Sequence, residues 1–548
     1  MTKRLMTFAR MFVLTAAAAA LTACGGGGGG GGGGSTATGS SGGGSGGGGV
    51  AGWVSGVFQA ASTFKDKCET VRTGVDIEGN RFPDKAGTAL DEKNWLRSWT
   101  RETYLWNTEV TDTDPASGGT RTAYFATLKT TAKTASGKDK DNFHFSEPTT
   151  EYLARRNAAA TASYGMELTA YSTTTPRDFR VVYTEPGSPA AGVVPRGARI
   201  LTVNGIDLVN DNTQAGVNAL NAGLFPTATG TSTTFGLRLV DGSTKTVTLT
   251  SANVSPKPVN KTSVLTDGSS KIGYILFNTF SPYSSETEIV SAMRDMQTAG
   301  VSDLILDLRY NGGGLLAVAS QLSYMIAGNT RTANRTFETL KFNAAAGNTN
   351  PVTGQANNPV PFYNQGLGFT VTAGTSLPTL NLSRVYVLAT EDTCSASEAV
   401  INGLRGVGVE VILIGGKTCG KPYGFYPQDN CGETYYTIQF QGVNDLGFGD
   451  YADGFVPNNT TSATGVKLPG CVASDDLSKE LGLATEGLVS TALSYRRTRS
   501  CPASATAFAA ASSAVQSAGP VSGGSGPAIV PPKWIMDVNR DMTLPGGR

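Results

Sequence analysis

Apolar and polar positions change their period three times along this 548-residue chain, and each change predicts a different architecture. Between residues 64 and 158, Trp95, Trp99 and Trp106 recur at helical spacing within 91–107, which predicts a helical region with an apolar core face. Core packing is a simpler reading of that stripe than a ligand platform. From 159 to 258, apolar runs at 165–170, 179–183, 199–203 and 246–249 are separated by Gly, Pro and Asn turns, which predicts a small β-rich module. From 259 to 500 strand and helix alternate. Strands are expected at 273–278, 304–308, 385–389 and 409–414, and helices at 284–298 and 396–404, the first with Ile289, Met293 and Met296 on one face; a β-like element follows at 434–440. Buried strands alternating with amphipathic helices mark an α/β domain. The whole is expected to be a multidomain α/β (α+β) protein, with about three domains in the roughly 450 residues of its body.

The two ends stand outside this pattern. Lys3, Arg4 and Arg10 precede a weakly apolar run, 11–23, too short to span a bilayer, which is the layout of an export signal. The run closes on Leu21-Thr22-Ala23-Cys24, which resembles the lipobox of bacterial lipoproteins. Residues 1–24 are therefore expected to be a lipoprotein signal with Cys24 lipidated, placing the chain in the cell envelope, on the periplasmic side and anchored to the membrane. Residues 25–63 read as a Gly/Ser-rich tether that begins with ten consecutive glycines and has too little apolar surface to order itself. Its two Gly-x-Ser-x-Gly stretches have neither a strand before nor a helix after, so they are not nucleophile elbows. Residues 501–548 are expected to be a low-complexity tail, dominated by Ala, Ser, Gly and Pro as far as residue 532.

Charge and cysteines narrow the function classes. The net charge is +1, and the body carries no dense basic run, so no nucleic-acid partner is expected. Six cysteines follow Cys24, namely Cys68, Cys394, Cys419, Cys431, Cys471 and Cys501, an even number that in an exported chain predicts disulfides. Cys419 is expected to pair with Cys431, closing a short loop around Lys421. No metal or cofactor is implied.

The candidate chemistry centres on Ser395, between a strand and the start of a helix at Ala396, where free backbone N–H groups and the helix dipole favour a developing oxyanion. Lys421 stands 26 positions later, and His144 is the single histidine of the chain. A lysine general base is therefore the simplest partner for a serine nucleophile, and it must be neutral to act, several units below its ordinary pKa of about 10.4. Ser397 remains an alternative nucleophile, Glu398 reads as a helix cap, and His144, between Phe143 and Phe145, reads as a packed or capping residue.

Ser395-Ala396-Ser397-Glu398, Gly420-Lys421 and the strand-turn Asp307-Leu308-Arg309-Tyr310-Asn311-Gly312-Gly313-Gly314 resemble the C-terminal processing, or tail-specific, serine proteases of peptidase family S41. The resemblance implies an N-terminal helical region, a PDZ domain and an α/β protease core of the ClpP/crotonase kind. It implies Ser395 as nucleophile, Lys421 as general base, and the N–H groups of Gly313 and Ala396 as the oxyanion hole. Residues 187–193 and 197–205 are similar to the middle of a PDZ domain, with a short helix, a glycine turn, a strand and an Asn-Gly hairpin. The loop Tyr164-Gly165-Met166 would then hold the carboxylate of a protein or peptide C-terminus. Two features depart from the family: the serine-to-lysine spacing is one residue longer than is usual, and the glutamine four residues after the lysine is Phe425 here. That keeps open a second function, a catalytically weak or inactive peptide-binding adaptor of the envelope.

Overall fold

The computed structural model describes residues 53–503 and 540–545. The signal, Cys24 and the tether as far as residue 52 lie outside the described residues, and so do 504–539. No helix among the described residues is long and apolar enough to cross a membrane.

Helix α1 (Ala89–Thr103) begins at a reciprocal cap, in which the Thr88 hydroxyl accepts the Asp91 N–H and the Asp91 carboxylate accepts the Thr88 N–H. Trp95 and Trp99, one turn apart, stack at 5.0 Å and bury against Tyr124, Phe125 and Tyr435. Trp106 does not share that face. The helix ends when the backbone becomes extended at Tyr104 (φ −64°, ψ 133°), and the Trp106 ring instead meets Tyr423 edge-on at 4.8 Å. Helices α2 (Arg121–Thr127) and α3 (Thr149–Arg156) flank a strand, Phe145–Pro148, that pairs antiparallel with Glu433–Tyr436. The N-terminal region is thereby sewn to a strand some 290 residues further on.

The middle module is an antiparallel sheet in the order Thr244–Thr250, Ser232–Arg238, Arg199–Val203, Asp178–Thr184, Met166–Ser172, which leaves Met166–Ser172 at an edge. Helix α4 (Gln214–Leu224) closes its core with Val217, Leu220 and Leu224 against Phe179, Val181, Ile200 and Phe235. The Asn204-Gly205 turn has φ of 51° and 82°, the left-handed pair that a tight hairpin requires. The short helix expected near 187–193 is instead a run of turns, with Ala191 N–H bonded to Ser188 and Val193 N–H to Ala190.

The largest sheet runs Val259–Asp267, Ser270–Phe277, Asp303–Asp307, Arg384–Ala389, Glu410–Gly415, Gly470–Val472; the first pair is antiparallel and the rest parallel. Alternate residues serve opposite faces. Ile275, Phe277, Leu304, Leu306, Val385, Val387 and Leu413 pack under helices α5 (Ser284–Ala299), α6 (Leu316–Ala327, continued by the one-turn α7, Asn329–Thr332) and α8 (Ala396–Gly406). Ile272, Tyr274, Leu276, Tyr386, Leu388, Ile412 and Ile414 pack under α9 (Gly487–Thr498). Burial on both faces is why these strands read as continuous apolar runs. The element expected at 434–440 divides into Glu433–Tyr436 and Phe440–Val443, which join different sheets.

The disulfides are Cys68–Cys431, Cys394–Cys419 and Cys471–Cys501. The expected Cys419–Cys431 bridge is not made. Cys431 lies on the turn after strand Gln428–Asn430, facing the N-terminal region, while Cys419 lies beside the N-terminus of α8.

Candidate active site

Ser395 is the N-cap of α8, fully buried, with φ 59° and ψ −109°, a conformation that a non-glycine residue holds only where its surroundings enforce it. The turn 390–394 is pinned to the glycine strand-turn: Thr393 Oγ1 donates to Leu308 O (2.8 Å) and Cys394 N–H to Asn311 O (3.1 Å). Ser397, the alternative nucleophile, donates its hydroxyl to Asn311 O at 3.0 Å. Ser395 Oγ, by contrast, faces the backbone N–H of Glu398 in the capping box and donates its own proton to no partner among the described residues. Of the two serines, only Ser395 keeps its hydroxyl proton uncommitted.

Lys421 enters from a loop that follows strand Glu410–Gly415, and it too is fully buried. Gly420 before it has φ 84°, and a Cβ there would lie 2.3 Å from Ala452 O, so only glycine permits this approach. The Lys421 Nζ sits 4.6 Å from the Phe425 ring centre and 4.8 Å from that of Phe143, a dry aromatic setting. Phe425, where the family resemblance expects glutamine, therefore packs on the amine. The Gln428 amide is used locally, donating to Pro427 O at 3.1 Å.

Glu398 joins the two. Its buried carboxylate accepts the backbone N–H of Ser395 (3.1 Å), Gly420 (2.9 Å) and Lys421 (2.8 Å), together with the Thr418 hydroxyl. Burial pushes the carboxyl above its usual range, and these hydrogen bonds oppose that rise. The sequence offered one signal for this role: Glu398 stands three residues after an N-cap serine, the capping-box spacing. What the spacing hid is that the same carboxylate reaches across to the lysine loop.

The proposed oxyanion donors are placed unequally. Ala396 supplies the first N–H of α8, one of the amides that a helix leaves without an internal partner. The Gly313 N–H is turned onto Asn311 Oδ1 at 2.9 Å, while Asn311 Nδ2 donates to Phe277 O.

Behind the glycine turn, Arg309 is fully buried among Asp307 (2.7 Å), Glu486 (2.7 Å) and Asp475 (2.6 Å), which raise its pKa against the opposing effect of burial. Asp475 also binds Arg196 of the middle module, and the Arg196 guanidinium donates to the Tyr310 hydroxyl at 2.7 Å. This bridge between the module and the residue preceding Asn311 was not legible in the sequence, because its members are 114 to 279 positions apart.

In the module itself, Tyr164 is a core residue bonded to Thr233 Oγ1 at 2.7 Å. The Gly165 N–H is taken by Ser163 Oγ (2.9 Å), and Met166 opens the edge strand opposite Thr184. The structure thus brings Gly165 and Met166 to a strand edge and turns Tyr164 inward. His144 lies in the N-terminal core, stacked on Phe125 at 3.9 Å and hydrogen-bonded to Phe125 O.

A mostly parallel sheet flanked by helices, with a serine at a helix N-terminus and a buried lysine on the adjoining loop, places the site in the α/β domain of a multidomain α+β protein. Residues 271–425, which contain the glycine turn, Ser395 and Lys421, match the family model of peptidase family S41. The carboxyl-terminal-processing protease of Picosynechococcus sp. (strain ATCC 27264 / PCC 7002 / PR-6) is 27% identical over 246 residues, 44% of this chain and 50% of that protein; the chain thus spans about half the length of that relative. The crystal structure of a Bacteroides fragilis NCTC 9343 protein assigned to the S41 proteases shares the fold, with a TM-score of 0.56 and 24% identity over 74% of this chain and 97% of that one. The photosystem II D1 C-terminal processing protease aligns with a TM-score of 0.38 and 18% identity, covering 70% of this chain and 97% of its own.

Proposed function

We propose that this protein is a serine endopeptidase of protein and peptide substrates, working by a Ser395/Lys421 dyad. The observation that carries the reading is the single Glu398 carboxylate that binds the backbones of both residues. In the reaction, Ser395 Oγ attacks the scissile carbonyl carbon as its proton passes to the neutral Lys421 amine. The carbonyl oxygen becomes an oxyanion that the Ala396 N–H meets at the helix N-terminus, joined by the Gly313 N–H once Asn311 releases it. Collapse of the adduct breaks the C–N bond, and Lys421 returns the proton to the leaving amine. Water, deprotonated by the same lysine, then hydrolyses the ester and restores Ser395.

The edge strand Met166–Ser172 and the Gly165 turn support a PDZ-type role for the middle module, adding a substrate C-terminus as a further strand. The export signal and Cys24 support placement as a lipid-anchored protein on the periplasmic side of the envelope. A second reading, a peptide-binding adaptor with little catalysis, draws on the Gly313 N–H being held by Asn311.

The deciding experiment is hydrolysis of an unstructured protein by the wild type and by Ser395→Ala. Cleavage lost in the variant is expected; equal cleavage by both, or none by the wild type, rejects the protease.

A further inference from the structure

Residues 540–545 are the described part of the chain's C-terminal segment, and they lie against the site. Strand Arg540–Asp541 pairs in parallel with Gly314–Leu315, the two residues that follow Gly313. On its other side Asp541 bridges to Phe425, and the Met542 N–H donates to Phe425 O at 3.2 Å. The segment is therefore a strand laid between two edges, one continuing the glycine turn and the other four residues beyond Lys421. Asp541 is buried, its carboxylate taking the Thr543 N–H at 2.7 Å and the Thr543 hydroxyl at 2.6 Å.

An extended segment held by main-chain hydrogen bonds between two strand edges is the conformation in which peptides are recognised by strand addition. The groove contributes backbone groups on both sides and stands beside the nucleophile's oxyanion turn, which is where a substrate main chain has to run. We propose that the cleft between Gly314–Leu315 and Tyr423–Phe425 is the binding groove for the substrate main chain, and that residues 540–544 occupy it in cis as a competing ligand. This rests on the protease reading for the word substrate, but the groove and its occupant stand on the pairing alone. A ligand carried on the same chain acts at an effective concentration that can reach the order of millimolar, so it excludes weak substrates and yields to tight ones.

The test uses a fluorescently labelled peptide of residues 538–548, Val-Asn-Arg-Asp-Met-Thr-Leu-Pro-Gly-Gly-Arg. Its binding is read by anisotropy on three Ser395→Ala proteins: the full chain, the chain ending at Pro532, and the full chain carrying Met542→Pro, which lacks the N–H given to Phe425. The peptide should bind the shortened chain at least tenfold more tightly than the full chain, with Met542→Pro moving the full chain toward the shortened one. Equal binding to all three, or no binding to the shortened chain, overturns the proposal. With Ser395 intact, the shortened chain should cleave a short peptide with a several-fold lower KM and unchanged kcat, and an unchanged KM also counts against it. Binding requires no hydrolysis, so a protein that fails to cleave anything defeats the protease reading while leaving the anisotropy result to judge the groove.

Discussion

Cys394 and Cys419 are bonded to each other, with Cα atoms 5.2 Å apart, so the residue preceding Ser395 is covalently joined to the residue two before Lys421. The bridge closes a loop of 25 positions, for which loop-closure entropy gives about 3 kcal/mol. Cys394→Ser and Cys419→Ser should each lose about that much stability in denaturant unfolding, measured without reductant so that the Cys68–Cys431 and Cys471–Cys501 bridges stay intact. Identical unfolding midpoints for variant and wild type would remove the bridge from the account of the site.

Glu398→Ala leaves three backbone N–H groups and the Thr418 hydroxyl buried without their acceptor. At about 1–3 kcal/mol for each unmet group, the variant should be destabilised by at least about 3 kcal/mol and lose roughly a hundredfold in kcat/KM. Glu398→Gln, which keeps the shape and one acceptor oxygen, should recover part of the stability. A fully active Glu398→Ala would show that the dyad needs no such tie.

Lys421→Arg separates charge from basicity. A guanidinium stays protonated and cannot take the Ser395 proton, so the variant should fold and yet fall below about a thousandth of wild-type kcat. Retained turnover would exclude Lys421 as the base.

His144 provides a pH test that does not involve the dyad. Burial holds its pKa down, to about 4 from an ordinary 6.5, against the opposing pull of Asp141. The folded state thus favours the neutral ring, and the resulting stability is complete above about pH 6.5 and is lost as pH falls toward 4. Between pH 7.5 and 4.5 the contribution amounts to about 2–3 kcal/mol. His144→Gln should flatten that part of the stability profile, and an unchanged slope would show that other groups govern acid unfolding.

Arg196→Met removes the guanidinium that links the middle module to Asp475 and Tyr310. Asp475 keeps Arg309 and the Tyr310 hydroxyl but loses one of its two ion-pair partners, so the cost is expected to be that of an unmet buried polar contact, about 1–3 kcal/mol. Because Tyr310 immediately precedes Asn311, kcat on a short peptide should fall by roughly tenfold. An effect confined to long protein substrates would assign Arg196 to the module alone.

The fold was largely legible because its signals are local or periodic. Strands such as 199–203 and 385–389, and helix α5, announce themselves by apolar alternation or by one apolar face, and they fall within a residue or two of the Arg199–Val203, Arg384–Ala389 and Ser284–Ala299 elements. Strand Ser232–Arg238 escaped because threonines and a glycine dilute its alternation, and α4 because its Gln, Asn and Gly positions blur the face made by Val217, Leu220 and Leu224. At the site, the strand-turn-helix around Ser395 and the glycine before Lys421 were visible for the same local reason. The pairing of the cysteines, the second reach of Glu398, the holding of Gly313 by Asn311 and the Arg196 bridge depend on which distant loops meet, and spacing along a chain carries no record of that.

Among the described residues, strand Phe145–Pro148 finds its partner in Glu433–Tyr436 alone, and Phe143 covers a lysine at position 421. At a synthesis rate of about 5–20 residues per second, the N-terminal region waits roughly 15–60 s for the residues that complete it. A chain emerging from its N-terminus therefore contains Ser395, and later Lys421, before residues 433–436 complete the sheet beside Phe143, so the order of the sequence itself delays assembly of the buried site.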